Sequence, residues 1–283
     1  MGFKMAEPKS AVIDTFFRNH TFVVPEFQRY YDWQVKDRGQ VERLWADLNE
    51  YVLTINNNPA RQQQHFFGAS ILYTSKEDPS ARQWLIDGQQ RTVTLACLFA
   101  AIRDLARVYD STDRLKTDAG DLIWNNRKKE PKITSRVDEK DNKALMQVSD
   151  PETYWKTGTH DPPSGKGNTN RIVRSYVYFL GAFEKLLDSE KIPQGDYEVR
   201  LNILATWFEQ IKDTTYLHYV ETDSLDQAYI MFDSQNSTGM GLDPSDILKV
   251  RLMEIARHLG DAPYAAFLAL WKRLREMCNH TPQ

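Results

Sequence analysis

The run Trp84-Leu85-Ile86-Asp87-Gly88-Gln89-Gln90-Arg91-Thr92-Val93-Thr94-Leu95 constrains this chain more than any other stretch. The apolar residues before Asp87 read as a buried strand and the glycine as a turn. Val93, Leu95, Leu98, Ile102 and Leu105 supply the buried face of a helix running to about Val108. A strand that becomes a helix within so few residues belongs to a mixed α/β layer and not to a helical bundle. Two more strands, Phe22-Val23-Val24 and Phe66 to Tyr73, fit the same layer. Between them Val41, Leu44, Trp45, Leu48, Tyr51 and Val52 recur at spacings of three and four, which predicts an amphipathic helix from about Asp37 to Ile55.

Residues 1–110 thus read as an α/β core. Residues 111–170 are far more polar, and His160-Asp161-Pro162-Pro163-Ser164-Gly165-Lys166-Gly167 has a loop composition, so this stretch is expected to be an irregular, partly flexible excursion. Residues 171–283 are expected to form a mainly helical lobe. Its helices are Arg171 to Leu187 and roughly Tyr197 to Ile211, followed by a strand at Tyr216 to Val220 and further helices. Ser224-Leu225-Asp226-Gln227 has the form of a capping box, and Asp243-Pro244 that of a cap before a first-turn proline. Between those two starts, Gln235 to Gly241 reads as a polar turn.

A hydrophobic content of 41% over 283 residues suffices for a sizeable core. No apolar run approaches the roughly 20 residues needed to cross a bilayer, and the N-terminus lacks a secretory leader, so the expectation is a cytoplasmic protein without membrane contact. The two cysteines, Cys97 and Cys278, lie far apart with no Cys/His partner at metal spacing, and Cys97 sits in an apolar helical run as a buried structural thiol. A net charge of −3 excludes bulk electrostatic coating of nucleic acid and confines any DNA footprint to a patch.

Chemistry is best supported at the Asp87–Arg91 turn. A helix N-terminus offers unpaired N–H donors, so a phosphate can rest against Gly88, Gln89 and Thr92 with Arg91 adding a formal charge. Asp87 is the candidate Mg²⁺ ligand, and Gln89 or Gln90 the candidate for orienting a water or a sugar hydroxyl. A helix-capping Asp with solvated amides and a surface Arg would give the same local pattern. The second constellation is Val24-Pro25-Glu26-Phe27-Gln28-Arg29-Tyr30-Tyr31-Asp32-Trp33. Here Gln28 and Arg29 are candidate nucleotide contacts; Tyr30, Tyr31 or Trp33 could stack on a base or close over a pocket, but such an aromatic cluster is more often core, and Tyr31 and Trp33 are read so. In the third, Asn236 is a candidate metal or phosphate contact and Lys249 a candidate nucleotide contact that neutralises charge, and Asp243 and Asp246 read as helix-end residues. Arg127, Lys128 and Lys129, with Lys132 and Arg136 nearby, form a basic stretch able to touch DNA phosphates, or a solvated loop. There is no Walker-type loop, nucleophile elbow or paired-histidine motif, and His218 reads as a sheet residue.

Taken in order, these motifs resemble the N-terminal domain of the GmrSD-type modification-dependent restriction family. That family carries a Pro-x-aromatic-Gln-Arg-x-Tyr-x-Trp segment, here Pro25 to Trp33, an Asp-Gly-Gln-Gln-Arg turn, here Asp87 to Arg91, and an Asn-x-x-Gly loop, here Asn236 to Gly239 running into Asp246 to Lys249. The resemblance spans about Phe16 to Leu252. It implies a ParB- and sulfiredoxin-like α/β core with an attached helical lobe, which binds and hydrolyses nucleoside triphosphates with a divalent metal. Asp87, Gln90 and Arg91 would carry the chemistry. In related systems the domain also senses modified phage DNA and controls a nuclease domain or partner, usually of the His-Asn-His type. Since no such segment follows before Gln283, the expectation is a fragment of a longer protein or a chain with a separate effector. The alternative is a module that binds nucleotide or modified DNA without hydrolysis and docks a nuclease. No metal-dependent nuclease cluster is visible, and homo-oligomerisation is left open.

Overall fold

The computed structural model describes residues 7–58, 64–75, 82–152, 170–189, 195–237, 252–253, 255–256 and 259–279. Its strands are β1 (Pro8–Val12), β2 (Phe22–Val24), β3 (His65–Thr74), β4 (Gln83–Asp87), β5 (Trp124–Asn125), β6 (Glu130–Pro131), β7 (Ile133–Ser135) and β8 (Thr215–Thr222). Six of them form one mixed sheet in the order β1-β8-β3-β4-β2-β7, while β5 and β6 pair separately. β2 runs parallel to β4 and β7. β3 is antiparallel to β4 and parallel to β8, and β1 lies antiparallel to β8 at the far edge. The helices are α1 (Ile13–Asn19), α2 (Gln40–Asn57), α3 (Gln89–Tyr109), α4 (Arg114–Ile123), α5 (Glu139–Ser149), α6 (Arg171–Ser189), α7 (Tyr197–Thr214), α8 (Leu225–Ser237) and α9 (Asp261–Asn279).

Side chains alternate across a strand, and here both faces are buried. Phe22, Val24, Leu72 and Leu85 enter a cluster shared with α1, α2, α3, α6 and α7. Val23, Ile71, Trp84 and Ile86 enter a second, with Phe27, Ala228 and side chains of α8 and α9. Burial on two faces explains why these strands read as unbroken apolar runs. It also makes a mixed α/β fold with helices on both sides of the sheet.

α3 is buried nearly all round, because α4, α6 and α7 pack against it. Its one deeply buried cation, Arg103, forms a two-pronged pair with Asp104 at 2.8 and 2.7 Å and donates to the carbonyls of Val148 and Ser149 at the end of α5.

The stretch expected as an irregular excursion is ordered over residues 111–152, where it forms α4, the β5–β6 hairpin, β7 and α5; residues 153–169, including the 160–167 loop, lie outside the described residues. Arg82 ties it down from the neighbouring segment. Its guanidinium donates to Phe22 O at 3.0 Å, Lys132 O at 3.2 Å and Pro131 O at 3.0 Å, and pairs with Glu130 at 2.9 Å. In the second half, α6 and α7 pack on α3, and β8 is an interior strand between β1 and β3.

Helix α8 starts where its sequence indicates, with half of the capping box: Ser224 Oγ accepts from Gln227 N at 3.3 Å, while Gln227 Oε1 accepts from Thr222 Oγ1 at 3.0 Å and Ser224 N donates to that hydroxyl at 3.1 Å. It then continues to Ser237, so residues 235–237 belong to its last turn and not to a loop. Asp243-Pro244 lies outside the described residues.

Candidate functional site

The Asp87–Arg91 turn sits at the C-terminal end of β4, where the chain passes into α3. Gly88 makes the turn at φ 88°, and a Cβ there would lie 2.2 Å from Ser70 Oγ, so no other residue fits without displacement. α3 begins without a side-chain cap. Thr92 turns inward, its N–H and hydroxyl both donating to Gly88 O at 2.9 and 3.0 Å. Asp87 and Arg91 face each other at 3.7 Å, with side chains 30% and 34% exposed.

Arg91 lies across β3, donating to Ala69 O at 2.5 Å. Its seat is Gly68, at φ +110°, where a Cβ would approach the guanidinium carbon to 3.3 Å. The pairing of β3 with β8 shifts register between Phe66 and Ala69, the kind of irregularity a strand glycine marks. Sequence reasoning passed over Gly68, although an isolated glycine within a strand pattern is the signal that could have found it.

Hydrogen bonds bring the two motifs together. Gln28 Nε2 donates to Ile86 O at 2.8 Å, and Gln89 Nε2 donates to Arg29 O at 2.8 Å. Gln90 Nε2 donates to Tyr30 O at 3.1 Å while its Oε1 accepts from Asp32 N at 3.0 Å. The segment after Pro25 has no strand ladder, so these amides satisfy its backbone groups in the interior. Gln89 and Gln90 are 6% and 7% exposed; Gln90 is engaged through both its amide nitrogen and oxygen, Gln89 through its nitrogen. The pair positions residues 29–33 over the start of α3, and Gln90, expected to orient a water, is committed to the backbone of that segment.

Tyr31 anchors that segment as core. Its hydroxyl meets Thr94 Oγ1 at 2.7 Å and Ser175 Oγ at 2.9 Å, and burial pushes its phenol well above the usual range. Its N–H donates to Asp141 at 3.0 Å, a carboxylate that burial raises despite hydrogen bonds from Tyr31 and Asn170. Trp33 packs against the same core. Arg29, by contrast, is 56% exposed beside Asp32 at 3.5 Å and faces solvent.

The other candidates lie elsewhere. Asn236 is in the last turn of α8; Gly239, Asp243, Asp246 and Lys249 fall outside the described residues. Arg127, Lys128 and Lys129 are exposed on the β5–β6 turn, held by Asn125 Oδ1 accepting from the backbone of Arg127 and Lys128 at 3.1 Å each. That hairpin joins the sheet beside Phe22, whose N–H donates to Lys132 O, and so lies at the opposite end of β2 and β4 from Gly88. Lys132 and Arg136 do not extend the patch: Lys132 Nζ donates to Phe17 O at 2.9 Å, and Arg136 lies over the Trp84 ring at 5.5 Å. His218 hydrogen-bonds Ser10 across the β1–β8 pair at 2.7 Å, and Cys97 is buried, donating to Ile172 O at 3.4 Å.

On the α3 side of Arg91 the free space is about 10 Å³, bounded by Phe67, Gly68, Ser70 and Thr92. That is room for at most about one water. A phosphate chain at this turn must lie on its outer side. A larger cleft of about 430 Å³ opens between Glu26 and Tyr30, the β7–α5 junction and α9. Among the described residues no group of three or more His, Cys, Asp or Glu is arranged to hold a metal ion. Nor is any of their helices long and apolar enough to cross a membrane.

The family model described as the GmrSD restriction endonuclease, N-terminal domain, matches residues 13–253. The match covers most of the chain and contains both interlocked motifs, and the chain belongs to this family. It is a domain of a restriction system. No curated protein matches the chain.

Proposed function

We propose that this GmrSD-family domain binds a nucleoside triphosphate on the outer side of the Asp87–Arg91 turn, hydrolyses it, and couples the nucleotide state to recognition of modified phage DNA and to a nuclease domain or partner. The observation that carries the reading is the amide interlock. Gln28, Gln89 and Gln90 fasten the Arg29 segment to the turn that bears Asp87 and Arg91. Two cations from distant parts of the sequence thereby flank an uncapped helix start, an arrangement suited to a polyphosphate.

A lone carboxylate is a poor site for a metal held by protein alone, yet Asp87 fits Mg²⁺, which keeps several waters and is shared between one or two carboxylates and substrate phosphates. Mg²⁺ bound there would offset charge on the triphosphate. Arg91, held by Ala69 O, and solvent-facing Arg29 would bind phosphate oxygens, and preorganised electrostatics would supply most of the rate. DNA contact through Arg127, Lys128 and Lys129 would be remote from the turn.

One observation favours a second reading, binding without hydrolysis: the Gln90 amide, a candidate for orienting a water, is engaged by backbone through both its nitrogen and its oxygen. Phosphate release from each nucleoside triphosphate with Mg²⁺, with and without modified phage DNA, tests both. Turnover that is lost in Asp87→Ala and Arg91→Ala supports hydrolysis at the turn. Nucleotide binding that depends on Arg91 without turnover selects the binding module, and binding and turnover indifferent to Arg91 reject the site.

A further inference from the structure

The cleft beside α9 lies at the same end of the sheet as the Gly88 turn. The C-terminal ends of β4, β2 and β7 are adjacent in the sheet, so Ser135 and Arg136 stand two strand spacings, about 10 Å, across from Leu85 and Ile86, just before the turn. Ligands of open α/β sheets bind at such carboxyl ends. We infer that the cleft receives the base and ribose of the nucleotide whose phosphates rest on the turn, with Asn142 and Trp271 as the residues that hold the nucleoside. This rests on the reading of the turn as a triphosphate site.

Charge sets the polarity. The cleft is lined by Glu26, Asp138 and Glu139, the last paired with Lys143 at 2.6 Å, against one guanidinium, Arg136, a balance that favours the hydroxyl- and amine-bearing end of a nucleotide over its phosphates. The phosphate end has Arg91 and Arg29.

The polar groups are disposed for donors and acceptors of a nucleoside. Asn142 Oδ1 accepts from Ser135 N at 3.0 Å, which leaves its NH₂ donors for acceptors on a base edge. Glu26 accepts from Tyr264 at 2.7 Å through Oε1, while its Oε2 is buried with no hydrogen-bond partner among the described residues. Trp271 lines the cleft as a flat apolar wall, fixed by stacking on Phe267 at 5.8 Å and 27°. A volume of about 430 Å³ falls in the range of small-ligand sites.

Calorimetric titration of the full chain with the Mg²⁺ salts of ATP, GTP, CTP and UTP, and with tripolyphosphate, tests the assignment. Asn142→Asp keeps the acceptor for Ser135 and removes the amide donors, and Trp271→Ala removes the stacking wall. Both are expected to weaken the best nucleotide by about tenfold, the size of a base-stacking contact, and to leave tripolyphosphate binding unchanged. Nucleotide affinity within about twofold of the unaltered chain in both variants overturns the inference, as does tripolyphosphate binding as tightly as every nucleotide. If Arg91→Ala leaves nucleotide and tripolyphosphate binding intact, the phosphate site itself is what fails. Circular dichroism of each variant verifies its fold.

Discussion

The side chain of Gln90 spans the gap between two backbone segments, donating to Tyr30 O at 3.1 Å and accepting from Asp32 N at 3.0 Å. Replacing its NH₂ by oxygen would set an acceptor against an acceptor in the interior. Gln90→Glu should therefore destabilise the chain by about 1–3 kcal/mol or more, read as a lower urea midpoint at unchanged slope. Unaltered stability together with lost turnover would instead return Gln90 to the reaction itself.

How much of this was readable follows from the range of the interactions. The β4–turn–α3 junction is local in sequence, and its strand, glycine and helix all appear where the pattern puts them. The role of the glutamines was not readable. Whether Gln89 and Gln90 face solvent or hold Arg29 and Tyr30 is decided by a contact between segments about 60 residues apart. The same limit applies to β8, whose partners β3 and β1 lie far upstream and whose interior place cannot be read from its own alternation. The stretch from Arg114 to Ser149 looks irregular because its strands are short and its order depends partly on Arg82, a residue outside it.

Gly88 should tolerate no side chain. Alanine at φ 88° carries a backbone penalty of about 1–2 kcal/mol, and its Cβ would also sit 2.2 Å from the Oγ of buried Ser70. Gly88→Ala is expected to lower the melting temperature by several degrees. Adding Ser70→Gly should recover the steric part and leave the backbone part. Equal melting temperatures for the single and double variants would show that the contact with Ser70 is not what excludes the side chain.

The β1–β8 edge is expected to be acid-sensitive. Glu221 on β8 hydrogen-bonds Lys9 of β1 and, at 2.8 Å, His20 beyond α1. Burial acts to raise its carboxyl, but the hydrogen bonds from Lys9 and His20 outweigh this and hold it below its ordinary 4.5. A depressed carboxyl contributes stability that is complete above the unfolded value and is lost as pH falls through the folded one. Glu221→Gln should be less stable near neutral pH and show a flatter acid-side decline. The two melting curves should converge once pH has fallen below the folded value. Parallel pH profiles would remove Glu221 as a source of the acid sensitivity.

Gly68 and Arg91 should couple energetically. The guanidinium lies on the glycine, where a Cβ would approach it to 3.3 Å, and Arg91 is held there by Ala69 O at 2.5 Å. Gly68→Ala has two costs: a left-handed backbone conformation that L residues rarely adopt, and displacement of Arg91. Only the second depends on Arg91. In an Arg91→Ala background the Gly68→Ala substitution should therefore cost less, with an interaction energy of about 0.5–3 kcal/mol in a double-mutant cycle of unfolding free energies. A cycle that closes additively would mean the guanidinium yields freely, and Gly68 would then be retained for the bend in β3 alone. Coupling would instead show that a strand glycine fixes the position of the cation proposed to bind phosphate, so that Gly68→Ala should also weaken tripolyphosphate binding.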